Sequence, residues 1–340
     1  MKQIPISRIS TNIDFEQDGK QIGYLSIPHS RNESAWGSMH MPIAVIKNGS
    51  GPTILLTGGS HGDEYEGPIA LAKLSRELDA EAIQGRIILL PALNFPAMMA
   101  GKRLSPIDGK NMNRVFPGDR TGTMTEVIAH YVYHVLLPMC DVVLDMHSGG
   151  YSLEFVPCII MHYLDDAAMM EKTLAALNAF GAPIGLMLRE LDTDGMFDSA
   201  VEETGTLFLT TELAGSARVS VKALAVAETG LRNLLCHLGI LKSDQAIAPH
   251  PPRLMEVPDT ACYVTAAADG IYEPFHDLGA EILDGQPTGQ IHFLDDLRRS
   301  PRLLKSHRSG ILICRRSPGH VERGDCVAVI ASDLSTYLQP

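Results

Sequence analysis

The sequence predicts an α/β protein: a mixed, mostly parallel sheet flanked by helices, followed by a small C-terminal β-sandwich or barrel domain. Three observations lead there. Short apolar runs alternate with stretches of helical periodicity between about residues 50 and 240. Those runs are rich in Val, Ile and Leu, as in strands covered on both faces. The helical pattern stops after the Pro-rich segment Ile247-Ala-Pro-His-Pro-Pro-Arg253, and short runs broken by Gly turns follow.

Taken in order, polar and apolar residues alternate through Ile22 to Ile27, and Met41 to Ile46 is apolar. The first fifty residues therefore read as short strands joined by turns. Thr53 to Thr57 is a strand ending in Gly58-Gly59, and a helix is expected from about Gly67 to Leu78. Further strands are expected at Arg86–Leu90, Val142–Met146, Val156–Met161 and Leu207–Thr211, with helices at Met124–Leu137, Ala167–Phe180 and Val221–Leu238. The Pro-rich segment reads as a linker, so a catalytic domain over 1–245 and a β domain over 255–340 are expected. Two pieces of the latter, Asp269–Gln286 and Ser309–Val327, loosely resemble each other. Neither carries a Glu-Met-Lys-type turn, which speaks against a biotin or lipoyl carrier.

Composition narrows the function. The 340 residues are 45% hydrophobic and 20% charged, the profile of a globular protein. With 40 acidic against 28 basic residues the formal charge is -12, so a nucleic-acid partner is not expected. Small anionic substrates stay open, because a local Arg overrides the global field. None of the six cysteines forms a CxxC pair, which suits reduced thiols in a cytoplasmic protein. The N-terminus has no apolar signal region, and no apolar run reaches the length of a membrane span.

Four segments carry chemistry. Thr57-Gly-Gly-Ser-His61-Gly-Asp-Glu64-Tyr-Glu-Gly67 follows a strand and opens a helix. His61 and Glu64 are three residues apart, so one turn can aim both at one ion. Alone such a pair is common. Val142-Val-Leu-Asp145-Met-His147-Ser-Gly-Gly150 ends a second strand in a third metal ligand, His147. Asp145, two residues earlier, points to the same side and could orient an imidazole. Leu207-Phe-Leu-Thr-Thr-Glu212-Leu-Ala-Gly215 ends a third strand in a carboxylate suited to general acid–base work. The loop Lys102–Gly118 is rich in cations and amides. In it Arg114 offers a fork for a carboxylate, Asn113 a donor beside it, and Arg103 a charge for an oxyanion.

These four segments, in this order, resemble the succinylglutamate desuccinylase/aspartoacylase family, which belongs with the zinc carboxypeptidases. The resemblance covers roughly residues 40–240. It implies one Zn2+ per chain held by His61, Glu64 and His147, although the same donor set suits cobalt or manganese. It implies Glu212 as the catalytic carboxylate, Asn113 and Arg114 as the carboxylate-binding pair, and Arg103 as the oxyanion arginine. The implied partner is a small N-acyl amino acid, and a homo-oligomer is the family habit. Within the family, the opening through Trp36-Gly-Ser-Met-His-Met-Pro42, the block Gly58–Gly67 and Gly109-Lys-Asn-Met-Asn-Arg-Val-Phe-Pro-Gly118 resemble the branch that deacetylates Nα-acetyl-L-2,4-diaminobutyrate in ectoine degradation.

Competing features are weaker. Glu126, His130 and His134 share a helix face at spacings of four, a conceivable second metal site without a strand-end partner. Ser60 and Ser148 lie outside any Gly-x-Ser-x-Gly elbow. A substrate ammonium would want a carboxylate, for which Asp192 and Asp194 are candidates. A sibling deacylase acting on N-acetylaspartate or N-succinylglutamate would want a further cation, and Arg189 is the spare one. A true carboxypeptidase and a metal-binding module without catalysis complete the alternatives.

Overall fold

Local pattern explains most elements of the computed structural model, which describes residues 7–189, 194–247 and 251–334. The short β1 (Ser10–Thr11) lies beside a hairpin of β2 (Gly19–Pro28) and β3 (Ser38–Asn48). Then come β4 (Thr53–Gly58), α1 (Glu66–Glu77), β5 (Gly85–Leu90), α2 (Phe95–Ala100), α3 (Met124–Tyr131), β6 (Val142–His147) and β7 (Leu153–Phe155). They are followed by β8 (Cys158–His162), α4 (Ala167–Phe180), β9 (Ile184–Leu188), α5 (Phe197–Glu202), β10 (Leu207–Glu212), α6 (Val221–His237) and β11 (Arg253–Val257).

α4 spans the residues its periodicity indicates. Asp166 caps it by accepting from the Ala168 and Met169 amides, and Gly181 closes it in the left-handed region. α3 is shorter than expected, because the chain widens into a π-helical turn over Val132–Leu136. β9 and α5 were not anticipated.

The large sheet runs β1-β2-β3-β5-β4-β6-β10-β8-β9-β11 before entering the C-terminal strands. Strands β5, β4, β6 and β10 are parallel neighbours. β8 then pairs antiparallel with β10, and β8, β9 and β11 are parallel among themselves. The sheet is therefore mixed. Every residue of β4, β5 and β6 is buried, because layers cover both faces. The period-two alternation divides them: Ile54, Leu56, Ile87 and Leu89 pack toward α1, α4 and α6 with Leu71, Phe180 and Leu234. Leu55, Ile88 and Leu90 pack on the other side with Leu25, Ile128 and Phe197.

The sheet does not stop at the Pro-rich segment, of which residues 248–250 lie outside the described residues. β11 pairs with β9 on one side and with the strand Cys326–Asp333 on the other. Strand Gly310–Arg316 pairs with Cys326–Asp333 and also with β7. A core of Cys158, Ile160, Leu186, Met255, Ile313 and Val329 joins the two regions. A separate four-stranded sheet contributes Tyr272, Ile291, Leu304 and Val321 to a further core with Leu312 and Ile330. No helix among the described residues is long and apolar enough to cross a membrane.

Candidate metal centre

Three parallel neighbours, β4, β6 and β10, bring their carboxyl ends together. In register, Thr57 faces Asp145 and Glu212 faces His147. Ligand sites of open α/β sheets lie at such ends. After β4 the chain reverses through Gly59, whose φ of +67° is costly for a residue with a Cβ. The turn brings His61 and Glu64 back over the strand ends before α1 begins.

There the Glu64 carboxylate lies between two imidazoles. Its Oε1 is 2.7 Å from His61 Nδ1 and its Oε2 is 2.9 Å from His147 Nδ1. One donor atom from each of the three residues falls within 4.8 Å of the others, the arrangement a metal ion requires. The outer nitrogens are also occupied. His61 Nε2 donates to Asn111 Oδ1 at 2.9 Å, and His147 Nε2 donates to Asp145 Oδ2 at 2.7 Å. With acceptors at both Nε2 positions, Nδ1 of each ring is the nitrogen that faces Glu64 and would ligate an ion there. Asp145 is itself fixed by Thr57 Oγ1 at 2.7 Å and Ser60 Oγ at 3.2 Å. The donor set, its convergence and its outer partners all suit a divalent ion such as zinc.

Electrostatics agree with the geometry. Burial by itself would raise the Glu64 carboxyl, but His61 and His147 outweigh it and pull it far below the usual carboxylate range. Burial would lower His147, yet Asp145 and Glu64 raise it well above the usual histidine value. Glu212 behaves in the opposite way. Burial, then the charge of Glu64, push it up to about 8. Its Oε2 is buried with no hydrogen-bond partner in the structure, a group poised for a proton or a ligand.

A cavity of about 210 Å³ joins these groups. Arg103, Asn113 and Arg114 line it, as do His61, Glu64, His147 and Glu212. Arg103 Nη1 is 3.5 Å from Glu64 Oε1. Arg114 Nη1 donates to the Asn113 carbonyl at 2.7 Å, and Asn113 Oδ1 accepts from the Phe197 amide at 2.8 Å. The loop that carries these residues is tied to α3 by Asp108, which accepts from the Thr125 amide and hydroxyl, both at 2.8 Å. All seven candidate residues thus converge on one cavity.

Residues 50–238 fit the model of the succinylglutamate desuccinylase/aspartoacylase catalytic domain. The chain belongs to this family. The matched span holds every residue of the metal group and its cavity cations. A family relative, N-alpha-acetyl-L-2,4-diaminobutyric acid deacetylase of Halomonas elongata, is 46% identical over 325 residues, covering 96% of this chain and 95% of that protein. The product-bound structure of the ectoine utilization protein EutE (DoeB) from Ruegeria pomeroyi superposes with a TM-score of 0.93 at 46% identity, covering 96% of this chain and 99% of that one. The crystal structure of a succinylglutamate desuccinylase/aspartoacylase from Rhodobacter sphaeroides gives a TM-score of 0.92 at 45% identity, with 97% and 100% covered.

Other candidates lie elsewhere. Arg189 is exposed, its guanidinium 5.2 Å from the Tyr163 ring centre, and it does not line the family cavity. Asp194 is exposed and also outside the cavity, and Asp192 falls outside the described residues. Glu126 is engaged by Lys110 and by Thr123 at the start of α3. With His130 and His134 it forms no metal-holding group among the described residues. Sequence reading gave no role to Asn111, Asp198 or His162. Asn111 stands inside a quoted motif, but its contact with His61 spans fifty residues. Asp198 and His162 belong to short elements whose sequences do not show which way they face.

Proposed function

We propose that this protein is a zinc-dependent amidohydrolase that cleaves Nα-acetyl-L-2,4-diaminobutyrate to acetate and L-2,4-diaminobutyrate. One observation carries the reading: the chain matches the Halomonas deacetylase at 46% identity along 96% of its length. The convergence of His61, Glu64 and His147 beside an orphaned Glu212 oxygen supplies the chemistry such an activity needs.

A zinc ion held by His61, Glu64 and His147 would supply Lewis acidity toward the scissile acyl group and its attacking water. The remaining work belongs to the chain. Arg114 and the amide nitrogen of Asn113 hold the substrate's α-carboxylate. Arg103, beside Glu64, offers positive charge to the acyl oxygen as it becomes an oxyanion. Glu212 takes a proton from the attacking water as its oxygen bonds to the acyl carbon. It then delivers that proton to the leaving nitrogen as the C–N bond breaks. Its raised proton affinity favours the first of these transfers, the uptake of the proton. A cavity of about 210 Å³ suits a small acyl amino acid and not a polypeptide.

The same proposal takes in a homo-oligomeric state, which rests on family likeness alone. A cytoplasmic location is supported by six unpaired cysteines. A division of labour between residues 1–245 and 255–340 is supported by the separate core of the latter. The position of Arg189 outside the cavity weighs against dianionic substrates.

The test is a parallel assay of amine release from Nα-acetyl-diaminobutyrate, its Nγ-acetyl isomer, N-acetylaspartate and N-succinylglutamate, each with and without a chelator. Fast, chelator-sensitive turnover of the first alone is expected. Preference for a dianionic substrate would move the protein to a sibling activity, and no turnover at all would overturn the enzymatic reading.

A further inference from the structure

The chain leaves Glu212 through an unusual turn. Ala214, Ser216 and Ala217 have φ of +73°, +61° and +48°, and only Gly215 among the four is a residue free to take such angles. A Cβ meets the following carbonyl in the left-handed region, so this turn is strained at three positions. Such strain persists where the surroundings over-determine the backbone. Here the turn lies against the segment that follows His147. The Leu213 amide donates to the His147 carbonyl at 3.0 Å, the Ser216 amide to the Leu153 carbonyl at 3.0 Å and the Ala217 amide to the Gly150 carbonyl at 2.8 Å. In return the Gly149 and Phe155 amides donate to the Ala214 carbonyl at 3.0 and 3.1 Å. A Cβ on Gly215 would fall 2.1 Å from the Leu153 carbonyl oxygen, so the two backbones touch. The C-terminal region closes the other side: the Ser317 hydroxyl donates to the Ser216 hydroxyl at 2.6 Å, and the Ser317 amide to the Ser152 carbonyl at 2.9 Å. The clasped segment lines the cavity with Ser148, Gly149, Ser152, Leu153 and Phe155, whereas none of residues 213–217 does.

We infer that Ala217, which closes this left-handed turn, is a positioning residue for the proposed reaction and acts by fixing the backbone that aims Glu212. This rests on the amidohydrolase reading and deepens it. Glu212 Oε2 has no hydrogen-bond partner to hold it, so the aim of the side chain depends on its backbone. Pairing within the sheet to β6 and β8 fixes the strand up to Glu212. The turn fixes the chain beyond it. A residue with a Cβ has a narrow left-handed well, whereas glycine has a broad one. The same Cβ that strains the turn at Ala217 therefore stiffens it, and stability is given up for a general base held in one place.

The experiment makes Ala217→Gly in the wild-type and Glu212→Gln backgrounds and measures kcat, KM, metal content and the midpoint of denaturant unfolding, with Nα-acetyl-L-diaminobutyrate as substrate. In the wild-type background the unfolding midpoint should stay the same or rise, because strain is relieved. The kcat should fall about tenfold, as expected for a catalytic group displaced by less than an ångström, with KM and metal content unchanged. In the Glu212→Gln background the same substitution should change kcat little, because the base it aims is gone. A wild-type kcat for Ala217→Gly overturns the assignment, and so does an equal loss in both backgrounds. Activity and stability falling together would make the turn merely structural, which also overturns it. In each of these cases turnover by the wild type leaves the amidohydrolase reading in place. Absence of wild-type turnover overturns both.

Discussion

Glu212 and His147 are register partners at the last residues of two neighbouring parallel strands. In-register residues of a parallel pair point to the same face, so the proposed general base and a proposed metal ligand share one side of the sheet. The antiparallel partner of Glu212 on its other flank is Cys158, a buried thiol that gives the carboxylate no ionic neighbour there. Glu212 is held beside the metal group, and it is not among the residues that form that group.

Glu212→Gln is therefore expected to lower kcat by about 100-fold or more while metal content stays at wild-type level. Steady-state kinetics with metal analysis on the same sample checks this. Loss of metal from the variant would make Glu212 a ligand instead.

Removing a ligand and removing a ligand's partner should differ in degree. His147→Ala should abolish stoichiometric metal binding, because only two donors remain. Asn111→Ala leaves all three donors but frees the His61 ring, so metal affinity should fall about 10- to 100-fold. Titration against a competing chelator separates the two. Equal affinity for Asn111→Ala and wild type would show that Asn111 does not orient His61.

The Asp108–Thr125 contact gives a pH-dependent prediction. Burial would raise the Asp108 carboxyl, but hydrogen bonds from Thr125 and its neighbours lower it below the ordinary value of 3.8. A depressed folded-state value means stability that is fully present above the unfolded value and lost as pH falls through the folded one. Asp108→Asn should cost about 1 kcal/mol at neutral pH, a modest figure because the group is half exposed. The difference from wild type should shrink below about pH 3.8 and vanish in stronger acid. Denaturant unfolding at several pH values tests it. KM should also rise, because this contact anchors the loop that carries Asn113 and Arg114.

Gly67 lies where α1 crosses β6. A Cβ there would come within 2.6 Å of Met146 Cβ and 2.8 Å of the Met146 carbonyl oxygen. Gly67→Ala would favour a helix in isolation. Here it should destabilise by about 1–3 kcal/mol, because backbone must move, and it should weaken metal binding since Met146 precedes His147. Chemical denaturation with and without metal reports both effects. A variant as stable as wild type would show that α1 can shift freely.

Much of this protein is written locally in its sequence. An apolar run followed by Gly58-Gly59 and His-x-x-Glu specifies a strand, a sharp turn and two candidate ligands within fifteen residues, Thr53–Gly67. His147 and Glu212 are legible in the same way, because each ends a short strand that opens with three apolar residues. The helices at 66–77, 167–180 and 221–237 follow from periodicity long enough to exclude a strand. β9 and α5, with five and six residues, are too short for periodicity to separate strand from helix. Tertiary structure alone decided which strands are neighbours. It placed β4, β6 and β10 side by side although their ends are separated by 89 and 65 residues of chain. It also assigned Asn111 to His61, buried Asp198 in the cavity wall and left Arg189 outside. The physical reason is that backbone pattern is set by neighbours within a few residues, whereas hydrogen-bond partners and cavity walls are set by sheet order. Sheet order depends on the packing of every layer at once.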